Sequence, residues 1–218
     1  MSSFPGTPRV ARGALVSINL PTPIPHVVIF QYNPDTLTRT LQPQMTSGGE
    51  NRSEAFRLRG APIETISFDI ELDATDQLEH PDQNPITTAT GILPQLAALE
   101  IALYPSTVQV IANAALAAVG TIEVVPPQGP FTVFIWGAKR ILPVRLTSYR
   151  VSEEAHDTSL NPIRAKVSLE LRVLTYDDLD ISNPGYWLFL AHQVTKEAMA
   201  AIGSVSSVSS VISGSVSL

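Results

Sequence analysis

Ile63-Glu64-Thr65-Ile66-Ser67-Phe68-Asp69-Ile70-Glu71-Leu72-Asp73 alternates in character, with Ile66, Phe68, Ile70 and Leu72 set against Ser67, Asp69, Glu71 and Asp73. Successive side chains of a strand point to opposite faces, so this pattern predicts a strand with one core face and one acidic face. A second stretch answers it. Ile163, Ala165, Val167, Leu169, Leu171 and Val173 alternate with Arg164, Lys166, Ser168, Glu170 and Arg172, which predicts a strand over 163–175 whose polar face is mainly basic. Opposite charges on adjacent strands contribute only about 0.2–1 kcal/mol each, enough to favour a register rather than to stabilise a fold. Asp69, Glu71 and Asp73 are therefore expected to meet basic residues, either Arg164, Lys166 and Arg172 of the same chain or those of a neighbour. These six, with Trp187, are the candidate inter-subunit residues.

Working outward, Val144 to Val151 reads as a partner strand, and Phe131 to Trp136 as another. Gly13 to Asn33 reads as two short strands separated by a turn from Pro21 to Pro25, the second condensing into Val27-Val28-Ile29-Phe30 and stopped by Asn33-Pro34-Asp35. The polar stretch Leu41 to Arg59, with Gly48-Gly49, is expected to be a mobile or docking loop, and Asp76 to Asn84 carries turn chemistry. Pro94 opens a helix marked by Leu96, Leu99 and Leu103 and ended or kinked by Pro105. An alanine-rich helix follows over 108–119 and stops at Gly120. Asn183 and Pro184 announce a last helix through Trp187, Leu190, Ala191, Val194 and Ala198, expected to end at Gly203. Ser204 to Leu218, almost all Ser, Val and Gly, lacks the bulk for its own core and is expected to be disordered or ordered by a neighbour. The chain thus divides into a flexible segment 1–12, one β-rich α+β domain 13–180 with a helical insertion near 92–119, and a C-terminal helix and tail 181–218.

At 218 residues and 44% hydrophobic the chain can bury a substantial core, and 18 prolines argue against an all-helical body. The net charge of −6, with 14 Lys and Arg spread thinly, gives no footprint for phosphate, so nucleic acid is not expected as a partner. Without cysteine there are no disulfides, thiolate metal sites or cysteine nucleophiles. The first twelve residues do not read as a secretory signal. The charge-free run from Ile101 to Ile122 is interrupted by Pro105, Gln109, Asn113 and Gly120, so a buried or interface helix is expected there rather than a bilayer span.

Asp73, Asp76, Glu79, His80 and Asp82 lie within ten residues and carry metal-ligand chemistry, but their spacing fits no calcium loop, and a solvated strand-end turn is the better reading. Asp177, Asp178 and Asp180 read as turn and helix-start acids. His26, His80, His156 and His192 sit in no nucleophile or zinc motif, and no phosphate-binding glycine loop is present. No enzyme activity, metal or cofactor is expected. Trp136-Gly137 and Tyr186-Trp187 suit core or interface packing, the alternative being sugar-stacking rings of a soluble carbohydrate-binding β-sandwich.

The order of motifs carries more information than any one of them. Phe30-Gln31-Tyr32-Asn33-Pro34-Asp35-Thr36-Leu37, then Gly60-Ala61-Pro62 leading into Ile63 to Asp73, then Ala98-Leu99-Glu100 with Tyr104-Pro105, then Phe134-Ile135-Trp136-Gly137, and last the strand Arg164 to Val173, together resemble the tube-like baseplate proteins of contractile injection systems. The likeness covers roughly 27–175, and Phe30, Tyr32, Asn33, Pro34, Trp136 and Gly137 are its marker residues. It implies an antiparallel split barrel or sandwich of tail-tube type with a flanking helix, assembled as a homohexameric ring. The implied partners are an inner tube protein, a spike or hub protein and other baseplate subunits, in a particle assembled in the bacterial cytoplasm. Relatives often carry a C-terminal LysM module; Gly185 to Leu218 contains no second compact module, so wall binding through LysM is not expected.

Overall fold

The computed structural model describes residues 11–19, 22–45, 57–118, 120 and 128–214, without the side chains of 22–24 and 205–214. Seven strands, β1 (Ala14–Asn19), β2 (Thr22–Ile29), β3 (Leu37–Gln42), β4 (Ile63–Asp73), β5 (Phe131–Ile135), β6 (Ile141–His156) and β7 (Pro162–Val173), form one antiparallel sheet in the order β2-β1-β5-β6-β7-β4-β3. Helices α1 (Thr75–Leu78), α2 (Pro85–Thr90), α3 (Leu93–Glu100) and α4 (Thr107–Ala118) lie between β4 and β5, and α5 (Pro184–Gly214) follows β7.

The alternation of β4 and β7 is realised as expected. Ile66, Phe68, Ile70 and Leu72 are buried beside Ala165, Val167, Leu169, Leu171 and Val173, in the register Phe68 opposite Leu169 and Ile70 opposite Val167. Neighbouring strands lie about 4.8 Å apart, so β5 and β4, separated by β6 and β7, would be roughly 14 Å apart in a flat sheet. Yet the rings of Phe134 on β5 and Phe68 on β4 are stacked with centroids 5.5 Å apart, and Phe30, just beyond β2, lies 5.4 Å from Phe68. The sheet therefore curls until its inner face meets itself around an aromatic column.

The expected barrel or sandwich needs correction, because the chain forms one curled sheet that is not closed. β2 and β3 are its edges. β2 carries Pro23 and Pro25, with Pro25 opposite Ile18 of β1, and a strand that lacks these donors suits an edge. β3 pairs only with Ile63 to Phe68, leaving the far half of β4 without that neighbour. There the Asp73 amide donates to Gln31 Oε1 at 3.0 Å, tying the end of β2 across the opening.

Several element boundaries also differ from expectation, among them β6, which runs from Ile141 to His156 where 144–151 was expected. β2 starts at Thr22 rather than after Pro25, since edge prolines do not break pairing on the inner side. β3 was not expected and runs into the start of the polar loop expected from Leu41 to Arg59, because an edge strand shows few apolar residues to mark it; residues 46–56 of that loop lie outside the described residues, as do 1–10 of the N-terminal segment. α5 does not end at Gly203 but continues to Gly214, since glycine in a helix costs only about 1 kcal/mol. Residues 215–218 of the tail lie outside the described residues. Its start is as read: Asn183 Oδ1 accepts from the Gly185 amide at 2.9 Å.

The helical insertion covers the core with Ile92, Leu96 and Leu99, all buried. Its entry depends on Gly91, whose φ of 59° and ψ of −134° suit glycine alone and whose Cβ would lie 2.1 Å from the Pro162 carbonyl oxygen. Gly91→Ala is expected to destabilise the protein by about 2 kcal/mol, read as a lowered urea midpoint at unchanged slope. No single described helix is long and apolar enough to cross a membrane; the pair 93–103 and 107–118, bent by 45°, passes by length and composition together.

Candidate functional site

Two marker residues of the first motif, Phe30 and Asn33, hold the fold together. Phe30 is fully buried in the aromatic column. Asn33 clasps the start of β1, its Oδ1 accepting from the Gly13 amide at 3.0 Å and its Nδ2 donating to the Ala11 carbonyl at 2.9 Å. Tyr32 is exposed, and Pro34 half-buried beside it. Trp136 stacks on Phe134 at 6.0 Å, and its amide donates to the Arg140 carbonyl across a turn in which Gly137 has φ 71°. Residues from three motifs spread over about a hundred positions thus form one aromatic column.

On the outer face, the β4–β7 register sets Asp73 opposite Arg164 and Glu71 opposite Lys166. Arg164 binds Asp73 at 2.9 Å and Lys166 reaches Asp69 at 3.4 Å, both within one chain, whereas Arg172 turns to Asp178 at 2.8 Å. Burial would raise the Asp73 carboxyl, but hydrogen bonds from Thr75 and Arg164 leave it below its ordinary value. Exposed pairs of this kind contribute at most about 1 kcal/mol. The Lys166–Asp69 pair, with Glu71, borders a polar groove of about 610 Å³ that also takes in Tyr32, Asp35 and Arg150. Trp187 is exposed, with Nε1 donating to the Ile181 carbonyl at 3.0 Å and its ring edge-on to Tyr186.

A second charge cluster lies on the inner side of the sheet edge. Glu64 occupies an inward position of β4, in the parity of Ile66 and Phe68, and is almost fully buried. Its carboxylate accepts from Arg39 of β3 at 2.6 Å and from Lys196 of α5 at 3.2 Å. Burial pushes the Glu64 carboxyl up, yet the two cations outweigh it and hold the group below its ordinary value. Sequence reading missed this site. The signal was present, because a charge in the apolar register of a strand needs partners when it is buried.

Among the described residues no group of three or more His, Asp and Glu side chains is placed to hold a metal ion. Of the acidic run at 73–82, Asp73 is engaged by Arg164 and Thr75, and the remainder lies on α1 and a 3₁₀ turn. Among the described residues, α4 presents a long exposed apolar surface. Ser106 accepts from the Gln109 amide at 3.3 Å at its start, and beyond it none of the twelve helical residues is buried. Val108, Val110, Ile111 and Leu116 are all about half exposed or more, Ile111 at 63%.

Fold and site together define a β-rich α+β protein, one curled antiparallel sheet with a clasped opening and an apolar helical arm. No family model matches the chain, and no curated protein does. Among solved structures it is similar to a chain of the anti-feeding prophage (AFP) baseplate, determined by cryo-electron microscopy with 6-fold symmetrisation. The identity is 17%, the match covers 78% of this chain and 93% of that one, and the TM-score is 0.27. A superposition that loose carries no argument about fold or function.

Proposed function

We propose that this chain is a structural, non-catalytic subunit of a contractile injection system. It forms a six-fold inner baseplate or tube-initiating ring that joins the inner tube to the spike hub, in a particle assembled in the bacterial cytoplasm. The particle type rests on the ordered likeness of its motifs to tube-like baseplate proteins, and on the meeting of three of those motifs in one aromatic column. The assembly part rests on one observation, the uncharged helix α4 that buries none of its residues in its own chain. A contiguous apolar surface of this kind marks an interface. A closed ring needs two different surfaces per protomer, and the charged outer face of β4 and β7 supplies a second.

Electron microscopy of the chain co-expressed with tube and hub proteins is expected to reveal six-fold rings. Ile111→Asp should abolish them while changing folding stability by no more than about 0.5 kcal/mol, as for other exposed positions. A wild-type chain that stays monomeric in the presence of both partners would overturn the reading.

A further inference from the structure

A pocket of about 310 Å³ opens beside the Glu64 cluster, between β3, the β5–β6 turn and α5. Arg39, Lys139, Arg140 and Lys196 bring four cations to it, and Glu64 beneath them supplies one carboxylate, already shared by Arg39 and Lys196. Neither Lys139 nor Arg140 forms an ion pair among the described residues. In a chain of net charge −6 this is a local excess of positive charge. Trp136 and Met199 add an apolar wall.

His192 of α5 also lines the pocket. It is only 8% exposed, and neither ring nitrogen makes a well-formed hydrogen bond, the Lys139 carbonyl lying near the ring without completing one. Leaving buried polar nitrogens without well-formed hydrogen bonds costs about 1–3 kcal/mol, so an acceptor from outside would improve on the Lys139 carbonyl. Burial and the neighbouring Lys196 and Arg39 lower its basicity, against the opposing pull of the Lys139 carbonyl and Glu64. At neutral pH it is therefore an uncharged imidazole with one N–H to donate. Arg140 is likewise strained by partial burial and by Arg39, with Glu64 offsetting only part. An incoming anion would relieve both residues.

We propose that this pocket is a carboxylate-binding site, in which Lys139, Arg140 and His192 hold the anion and Trp136 and Met199 pack on its carbon skeleton. The apolar wall favours an organic acid over an inorganic oxyanion. A free dicarboxylate and an acidic side chain of a second copy share this chemistry. The site does not depend on the ring assignment.

The test is a low-salt titration of the ¹⁵N-labelled full chain with succinate, N-acetyl-glutamate amide and inorganic phosphate, following the His192 ring nitrogens and assigning them with His192→Asn. The expected result is binding of the two carboxylates, with an upward shift of the His192 titration as the anion stabilises its charged form. Lys139→Glu and Arg140→Glu should each weaken binding by roughly tenfold or more at unchanged thermal midpoint, the effect of losing a charge-assisted bond. Salt-sensitive self-association that succinate competes away would assign the carboxylate to a second copy, and succinate binding by a monomer would assign it to a free acid. His192 signals unmoved by either carboxylate, binding indifferent to both charge reversals, or phosphate bound as tightly as succinate would each overturn the proposal.

Discussion

Phe134→Ala is expected to cost the fold about 4 kcal/mol, the middle of the range for removing a buried aromatic ring. Phe134 is fully buried, with Phe68 at 5.5 Å on one side and Trp136 at 6.0 Å on the other. Its ring fills the place where the curled sheet meets itself, and strands on opposite sides of the cavity cannot close over the gap without changing the curvature of the whole sheet. In a chain of this size the loss corresponds to a drop of roughly 8–16 °C in thermal midpoint. Phe134→Leu should cost less than half as much, and Tyr32→Ala, at an exposed marker position, no more than about 0.5 kcal/mol. A loss for Phe134→Ala no larger than that for Tyr32→Ala would mean that the column does not hold the curl.

Glu64→Leu comes next, at about 3 kcal/mol, because it leaves Arg39 and Lys196 without their shared carboxylate. The estimate sits at the low end for a broken buried pair, since both cations are partly reachable by solvent and can be rehydrated. The charge also fixes a pH signature. The folded-state carboxyl is held below its ordinary value of 4.5, so above that pH its contribution is fully present, and it is lost as pH falls through the lowered folded value. Urea midpoints of wild type and Glu64→Leu should differ by a constant amount at neutral and mildly acidic pH and converge under stronger acid. A gap that stayed constant throughout would mean that the stabilisation is packing rather than charge.

The strands with one apolar face were legible in the sequence. In β4 and β7 the alternation follows directly from the two-residue period of a pleated chain, and the opposite signs of their outer faces agree with the register found. The helix starts at Pro94 and Asn183 were legible for the same reason, since cap and first-turn chemistry is local. β3 was not, because an edge strand carries few apolar residues, and neither was the end of α5, where a single glycine gives way to helix on both sides. The acidic run at 73–82 drew attention by its spacing in the chain, yet it forms a helical turn and a strand-end contact.

The sequence by itself determined the class of elements, their charged faces and the absence of cysteine and nucleotide-loop chemistry, all of which depend on residues close together in the chain. Only the tertiary structure decided that the sheet curls without closing, because that depends on Phe30, Phe68 and Phe134 meeting across strands that are not neighbours. It also decided that Arg39, Arg140, His192 and Lys196, spread over more than 150 positions, line one pocket, with Glu64 binding Arg39 and Lys196 beside it. Burial made their charges matter. In water those side chains would interact weakly, whereas the almost fully buried Glu64 must find an opposite charge.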